Sequence, residues 1–448
     1  MSFQKKLFTS SAAVLSLAFI NGCSEKPQNT LENHMDEAAI ITAEPDTIHP
    51  ALWPEGKSGV VRDAAIEARI VVLLSEMTIE QKVGQLVQAD IGSVTPDDIK
   101  KYRLGSILNG GSSGPYGDDR AAPSEWVRLA DEFWEASMSE GVGTPIPIMW
   151  GIDAVHGHSN VVGATIFPHN IGLGAANDPA LIERIGAATA KEVAATGIDW
   201  TFAPTLAVVR DDRWGRTYES YSEDPKIVKA YAGAMVRGIQ GKPGSKEFLD
   251  GNHVIATAKH FLADGGTKGG KDQGDAIISE LELRDIHAQG YLSAIDAGAQ
   301  TAMASFSSWR GQKMHGNRAL LNDVLFGRLG FDGLVVGDWN GHGKLDGCVN
   351  DDCPAAFKAG VDIYMAPDSW KGIYETALAA VKSGDISGAR LDEGVARILR
   401  VKLQAGLFEK GKPSTRPLAG HAEIMGSDAH RAIAREAVRE SLVLLKNN

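Results

Sequence analysis

The sequence predicts an α/β fold, a (β/α)8 TIM-like barrel, and three observations lead to it. One unit repeats from Val60 to about Phe408: a short apolar stretch, a polar loop, then an amphipathic helical segment. The candidate strands number eight, at 84–89, 105–108, 146–150, 199–203, 254–258, 301–305, 334–337 and 362–365. Helix starts recur between them, as in Asp178-Pro179 and Asp224-Pro225, where an N-cap acid precedes a proline of the first turn. Strands alternating with helices require a parallel sheet, and eight units close a barrel rather than a doubly wound sheet.

The seventh strand is the plainest. Leu334, Val335 and Val336 lie between Gly333 and Gly337, an uninterrupted apolar run of the kind buried on both faces of a parallel sheet. The first polar side chain after it, Asp338, falls on the rim where barrels keep their chemistry. Strand three leads into Trp150, Asp153, His156 and His158, and strand four into Arg216. Strand five leads into Lys259 and His260, and strand six into Ser305, Phe306 and Trp309. Singly these residues have ordinary explanations: a capping Asp, half of an ion pair, a core histidine bonded to backbone, packed indoles. Gathered on one rim, Asp, Arg, Lys and His beside Trp150, Trp309 and Trp339 suit a neutral ligand with many hydroxyls. The ring of such a ligand stacks on indole, and its hydroxyls take charge-assisted hydrogen bonds. That ligand is a sugar.

The flanks read differently. Lys5 and Lys6, an apolar stretch from Leu7 to Ile20, and Asn21-Gly22-Cys23 make residues 1–22 a signal peptide, too short to span a membrane. The segment resembles a bacterial lipoprotein signal, which implies export, cleavage before Cys23 and lipidation of that thiol. Attachment to the periplasmic or outer-membrane face is then through the lipid alone. Residues 23–59, with Pro27, Pro45, Pro50 and Pro54, read as a polar tether, and 60–410 as the barrel. Residues 411–427 read as a linker, followed by a helix over 428–440 and a strand-like end. The net charge of −12 leaves no basic cluster to neutralise phosphates, so a nucleic-acid partner is excluded. Cys348 and Cys353, the only other cysteines, predict a local disulfide in an exported chain, with free thiols as the alternative. No metal site is predicted, since only His342 stands nearby to extend the pair.

The segments GIDAVHGHSN (151–160), GRTYESYSEDP (215–225), KHFLADGGT (259–267) and GLVVGDWNG (333–341) resemble glycoside hydrolase family 3. The likeness is strongest to its β-D-glucan exohydrolases and β-glucosidases. It implies a retaining exo-acting hydrolase that releases glucose from β-glucans or gluco-oligosaccharides without a cofactor, with Asp338 as nucleophile. Asp153, Arg216, Lys259 and His260 match positions that hold the glucosyl ring, Met303 joins that substrate-binding set, and Trp339 matches a tryptophan stacking on the leaving sugar. The acid/base of multi-domain members is a glutamate on a second, α/β-sandwich domain. Residues 411–427 and 428–448 then read as the linker and the first helix and strand of that domain, with the glutamate outside the chain. Phe306 departs from the tyrosine common in plant-like members. The loop 262–270 lacks the proline-glycine-histidine pattern of the single-domain hexosaminidases, which argues against that specificity. Alternatives are a β-xylosidase, a Schiff-base aldolase using Lys259, and a non-catalytic sugar-binding lipoprotein.

Overall fold

Eight short parallel strands close on one another, and this closure sets the positions of the functional side chains. The computed structural model describes residues 47–111, 113–141 and 143–447; the signal peptide and Cys23 lie outside them. From Ile48 onward the chain forms one compact unit. In chain order the strands are β1 (Val87–Asp90), β2 (Ser106–Asn109), β3 (Met149–Ile152), β4 (Trp200–Thr201), β5 (Thr257–Phe261), β6 (Asp275–Ala276), β7 (Thr301–Ala304), β8 (Ser308–Trp309), β9 (Gln312–Lys313), β10 (Leu334–Val336) and β11 (Tyr364–Met365). One sheet runs β11-β1-β2-β3-β4 and a second β10-β7-β5. Parallel bridges between Trp200 and Ile255 and between Val336 and Ile363 join the two into a ring. The predicted barrel is therefore present. The remaining strands, β6, β8 and β9, form a small separate sheet.

The barrel strands are buried along their length, as a cylinder wrapped by helices requires. The interior is a packed core. The Trp200 indole fills it at the β4–β5 seam, and its Nε1–H donates to Thr257 Oγ1 at 2.7 Å and Thr301 Oγ1 at 3.0 Å. These hydroxyls satisfy the one polar atom of a fully buried indole. At the other seam Asp362 is buried and accepts hydrogen bonds from the Val335 N–H and from Arg390 and Arg397 of helix Gly388–Gln404. A buried carboxylate with two guanidinium partners and a backbone donor is fully satisfied, so it pins the outer helix to the strand layer.

Local chemistry sets the helix limits. Asp178 caps Pro179–Ala195 by accepting from the Ala180 and Leu181 N–H groups, and Asp224 caps Pro225–Gln240 through Lys226 N–H. Thr78 and Gln81 form a reciprocal capping box. That box carries helix Ile79–Gln85 into the predicted first strand, so β1 begins at Val87 rather than at 84. The fifth strand shifts the other way. It runs on through Lys259, His260 and Phe261, so the two site residues lie within β5 rather than beyond its end. Its pairing with β7 changes register between Ala258 and Phe261.

Three boundary expectations need correction. The tether predicted for 23–59 is not loose in its second half: Trp53 is buried, and its Nε1–H donates to Glu280 Oε1, which also accepts from the His49 backbone N–H. An aromatic side chain with a buried carboxylate partner belongs to a packed body. The linker of 411–427 is likewise packed, with Arg416 paired to Asp199 at 2.7 Å. Helix Asp428–Glu440 has the predicted limits but lies on the barrel helix Pro179–Ala195 and belongs to the same compact unit. The buried Glu192 carboxylate holds it there, accepting from Thr165 N–H and Oγ1–H, Gly426 N–H and His430 Nδ1. The strand expected after it does not form: residues 442–447 have no regular structure, and Leu442 to Leu445 are exposed without an edge to pair with.

One buried cation gives a stability test. Lys402 is fully buried and its Nζ donates to Gln85 Oε1 at 2.7 Å, with burial pushing its pKa down to about 7. A lysine whose folded pKa is depressed binds a proton in the unfolded chain but not the folded one between pH 7 and its unfolded value of about 10.4. Stability therefore rises with pH across that window. A Lys402→Met variant is expected to gain on the wild type as pH falls from 10 to 7, with no further gain below 7, read as urea midpoints.

Candidate functional site

A cavity of about 290 Å3 opens at the carboxyl ends of the barrel strands. Its lining includes Asp153, Arg216, Lys259, His260, Met303, Asp338 and Trp339, one or more from each of β3, β4, β5, β7 and β10 or the loops after them. These seven candidate ligand residues are thus brought together, but Trp150 and Trp309, also expected on the rim, are not: both are buried away from the cavity, their Nε1–H groups donating to Asn109 Oδ1 and Ile278 O. Leu108, Phe202, Met303 and Met365 add apolar floor.

Asp338 follows β10 and is 9% exposed. Its Oδ1 accepts from the Trp339 backbone N–H at 2.7 Å, while Oδ2 accepts no hydrogen bond from the described residues. A buried carboxylate oxygen without a partner beside a cavity is not committed to holding the fold. The Asp338 N–H donates to His315 Nε2 at 2.9 Å. Trp339 is 38% exposed, and its ring lies against Gly110 after β2, where a Cβ would collide with the indole. Asp90 at the end of β1 holds that loop by accepting from Gly110 N–H and Ser113 Oγ–H at 2.7 Å each. The tryptophan is therefore a partly open platform with a glycine backing.

The cations are aimed and charge-balanced. Lys259 is 4% exposed and donates to Asp153 Oδ1 at 2.6 Å, while Asp153 itself is 54% exposed on the cavity wall. Arg216 makes a two-pronged pair with Glu219 at 2.6 and 2.9 Å. Burial opposes charge on both partners, but the pairing prevails: the Arg216 pKa is raised and that of Glu219 lowered, so both stay ionised.

His260 has its tautomer set by its neighbours. Arg216 can only donate, so the His260 Nε2 that sits 3.1 Å from its Nη2 carries no proton. The proton is on Nδ1, which donates to Asp264 Oδ2 at 2.8 Å. Burial, reinforced by the Arg216 charge, pushes the His260 pKa down to about 3, whereas burial raises the Asp264 carboxyl to about 6. His260 Nε2 is 3.7 Å from Asp338 Oδ2 and has no proton to give it, its lone pair being taken by Arg216.

Sequence reasoning did not single out Glu219, Asp264 or His315. Glu219 and Asp264 lie inside segments that were read, three and four residues from Arg216 and His260, and that spacing was the available signal. His315 stands beyond the rim residues of strand six, in a turn after β9, with no local signal. Cys348 and Cys353 are bonded with Cα atoms 4.9 Å apart, closing a loop that the Tyr364 hydroxyl anchors at Cys353 O. His342 Nε2 lies 2.6 Å from Asn350 O in the same loop. Among the described residues no group of three or more His, Cys, Asp or Glu side chains could hold a metal ion, and no helix is long and apolar enough to cross a membrane.

A parallel barrel that gathers an uncommitted carboxylate, cations and an indole at its mouth fits a glycosidase-type site. The chain belongs to the glycosyl hydrolase family 3, whose N-terminal domain model matches residues 78–401. It is 34% identical over 400 residues to a lysosomal β-glucosidase of Dictyostelium discoideum, covering 84% of this chain and 48% of that protein. A periplasmic β-glucosidase of Salmonella typhimurium is 31% identical over 417 residues, 89% of this chain and 49% of that one. Among solved structures, the exo-1,3/1,4-β-glucanase of a Pseudoalteromonas species superposes with a TM-score of 0.87 at 56% identity, covering 88% of this chain and 50% of that one. A Listeria innocua β-glucosidase in complex with glucose gives a TM-score of 0.71 at 28% identity, covering 85% and 52%. The chain spans about half the length of the curated relatives it matches.

The site makes stability sensitive to acid. Burial pushes His158 and His287 down to about 4, and His260 and His315 to about 3. Each takes up a proton in the unfolded chain near pH 6.5 but not in the folded one, so stability falls as pH drops from about 6.5 towards 4. Asp264, raised to about 6, works in the opposite sense but is one group against four. The urea midpoint is expected to fall between pH 7 and 5, and a constant midpoint would contradict the buried neutral state of these rings.

Proposed function

We propose that this barrel is the nucleophile-bearing part of a retaining exo-acting glycoside hydrolase that removes glucose from the non-reducing end of β-glucans or β-gluco-oligosaccharides. One observation carries the reading: Asp338 lines the cavity together with Arg216, Lys259, His260 and Asp153, and among the described residues nothing donates a hydrogen bond to its buried Oδ2. In the reaction this oxygen attacks the anomeric carbon as the glycosidic bond breaks, and water later releases the sugar from the glycosyl ester with retained configuration. Lys259 and Arg216 donate to ring hydroxyls, while Asp153 accepts from them. Hydrogen bonds that tighten as the ring flattens supply the differential stabilisation of an oxocarbenium-like transition state. Trp339 offers its exposed face to the sugar on the leaving side.

The leaving oxygen needs a proton. Asp153 is paired with Lys259 and Glu219 with Arg216, so both of these cavity carboxylates have other work, and Asp264, paired with His260, does not line the cavity. The acid/base is proposed to be a glutamate on a second domain covering the barrel mouth, as the family resemblance implies. The periplasmic relatives support export of this chain, and the lipoprotein-like start supports a lipid anchor at Cys23. The glucose-bound Listeria structure supports a glucosyl unit in the cavity, and Asp153, Arg216 and Lys259 suit a ring that keeps its hydroxymethyl group.

Aryl glucosides with good leaving groups scarcely need acid assistance and so test the barrel directly. Turnover of dinitrophenyl β-glucoside is expected to exceed that of the matching xyloside and N-acetylglucosaminide assayed in parallel. Asp338→Ala is expected to lower it by about 10⁴-fold or more. Equal rates on the three substrates would remove the glucose assignment, and an undiminished Asp338→Ala rate would remove the nucleophile.

A further inference from the structure

The turn Met314–Gly316 follows the β8–β9 hairpin and carries His315 inward beneath the catalytic rim. The ring is 1% exposed, and both its nitrogens are engaged by backbone. Nδ1 lies 3.0 Å from Ser305 O, just past β7, and Nε2 lies 2.9 Å from Asp338 N, just past β10. A carbonyl only accepts, so Nδ1 carries the hydrogen; a backbone amide only donates, so Nε2 is bare. The two requirements agree on a single neutral tautomer. Burial, with His342, Lys313 and His260 opposing a second proton, pushes the His315 pKa down to about 3. A charged ring would set Nε2–H against the Asp338 N–H, donor facing donor.

The surroundings are shaped to admit this ring. A Cβ on Gly341 would land on the imidazole, and Gly337 on the other side of Asp338 also faces it. Gly337 N–H donates to Ile363 O and Gly341 N–H to Asp338 O, so the backbone on both sides of the carboxylate is tied down. At Asp338 itself the partner is a side chain from another segment.

We propose that His315 is a positioning residue for Asp338: as the acceptor for its backbone N–H, it ties the end of β10 to the end of β7 and sets the direction in which the carboxylate projects. The inference rests on the reading of Asp338 as nucleophile. His315 touches neither sugar nor reacting atoms. Its effect is on alignment, where a displacement of about 1 Å costs on the order of 10²-fold in rate.

The test is the rate at which the full chain is labelled by dinitrophenyl 2-deoxy-2-fluoro-β-glucoside, with the labelled residue identified by mass spectrometry. The wild type is expected to be labelled on Asp338. His315→Phe keeps the ring volume but removes the acceptor, and should slow labelling by about 10²-fold with little change in the reagent concentration giving half-maximal rate. His315→Gln, whose amide oxygen can reach the Nε2 position, should recover most of that loss. A folded Phe variant labelled at the wild-type rate, or a Gln variant no faster than Phe, overturns the positioning role while leaving the nucleophile assignment intact. Failure to label Asp338 in the wild type overturns the nucleophile reading and this one with it. Nitrogen-15 spectra of the wild-type histidines do not depend on any variant folding. His315 should be the Nδ1–H tautomer and stay neutral from pH 8 to 5, and an Nε2–H or titrating ring overturns the proposal.

Discussion

Closure of the strand ring is the constraint on which the rest depends. Each barrel strand has its backbone groups taken by a neighbour on either side, so none can slide or invert without breaking pairing on two flanks. All eight carboxyl ends must then point to one mouth. Residues from β3, the loop after β4, β5, β7 and the end of β10 converge there although they are separated by up to almost two hundred positions in the chain. The short strands leave little pairing in any one place. The seams are accordingly reinforced by side chains: Trp200 with Thr257 and Thr301 at one, Asp362 with Arg390 and Arg397 at the other.

Within the mouth, electrostatics are arranged so that one carboxylate is left uncommitted. Arg216 and Lys259 line the cavity with Asp338, and each needs a carboxylate partner. Glu219 and Asp153 take up most of that demand, and the bare Nε2 of His260 takes a further Arg216 donor. Among the described residues Oδ2 of Asp338 accepts no hydrogen bond. In the nucleophilic role proposed for Asp338, an oxygen that had first to break a strong hydrogen bond would meet a higher barrier. The supporting carboxylates are thus as much part of the site as the cations they hold.

The same logic extends outward through neutral imidazoles. His260 and His315 are both buried, both lack a proton on Nε2, and both use Nδ1–H to grip a fixed acceptor. Low accessibility makes the unprotonated ring the stable form, which turns histidine into a rigid, two-ended connector. One presents its acceptor to Arg216, and the other presents one to the backbone N–H of Asp338.

Much of this was readable along the chain. Apolar runs bounded by glycine marked the strands, Asp-Pro pairs marked the helix starts, and the first polar residues beyond the runs marked the ligands, because each of these signals comes from neighbours in sequence. Asp153, Lys259, His260, Asp338 and Trp339 stood out for that reason, whereas Met303 and the role proposed for each residue came from the family resemblance. Strand limits slipped where local rules competed, as when the Thr78 capping box drew residues 79–85 into a helix, or where β5 continued through Lys259 and His260. The packing of residues 48–59 and 411–440 on the barrel was not legible. It depends on partners hundreds of positions away, Glu280 for Trp53 and Glu192 for His430. His315 was hidden for the same reason: its turn says nothing of β10, and only folding brings its ring to the Asp338 amide. Periodicity and capping are short-range properties that a linear text carries, whereas the pairing of a buried donor with its acceptor is a property of three-dimensional proximity alone.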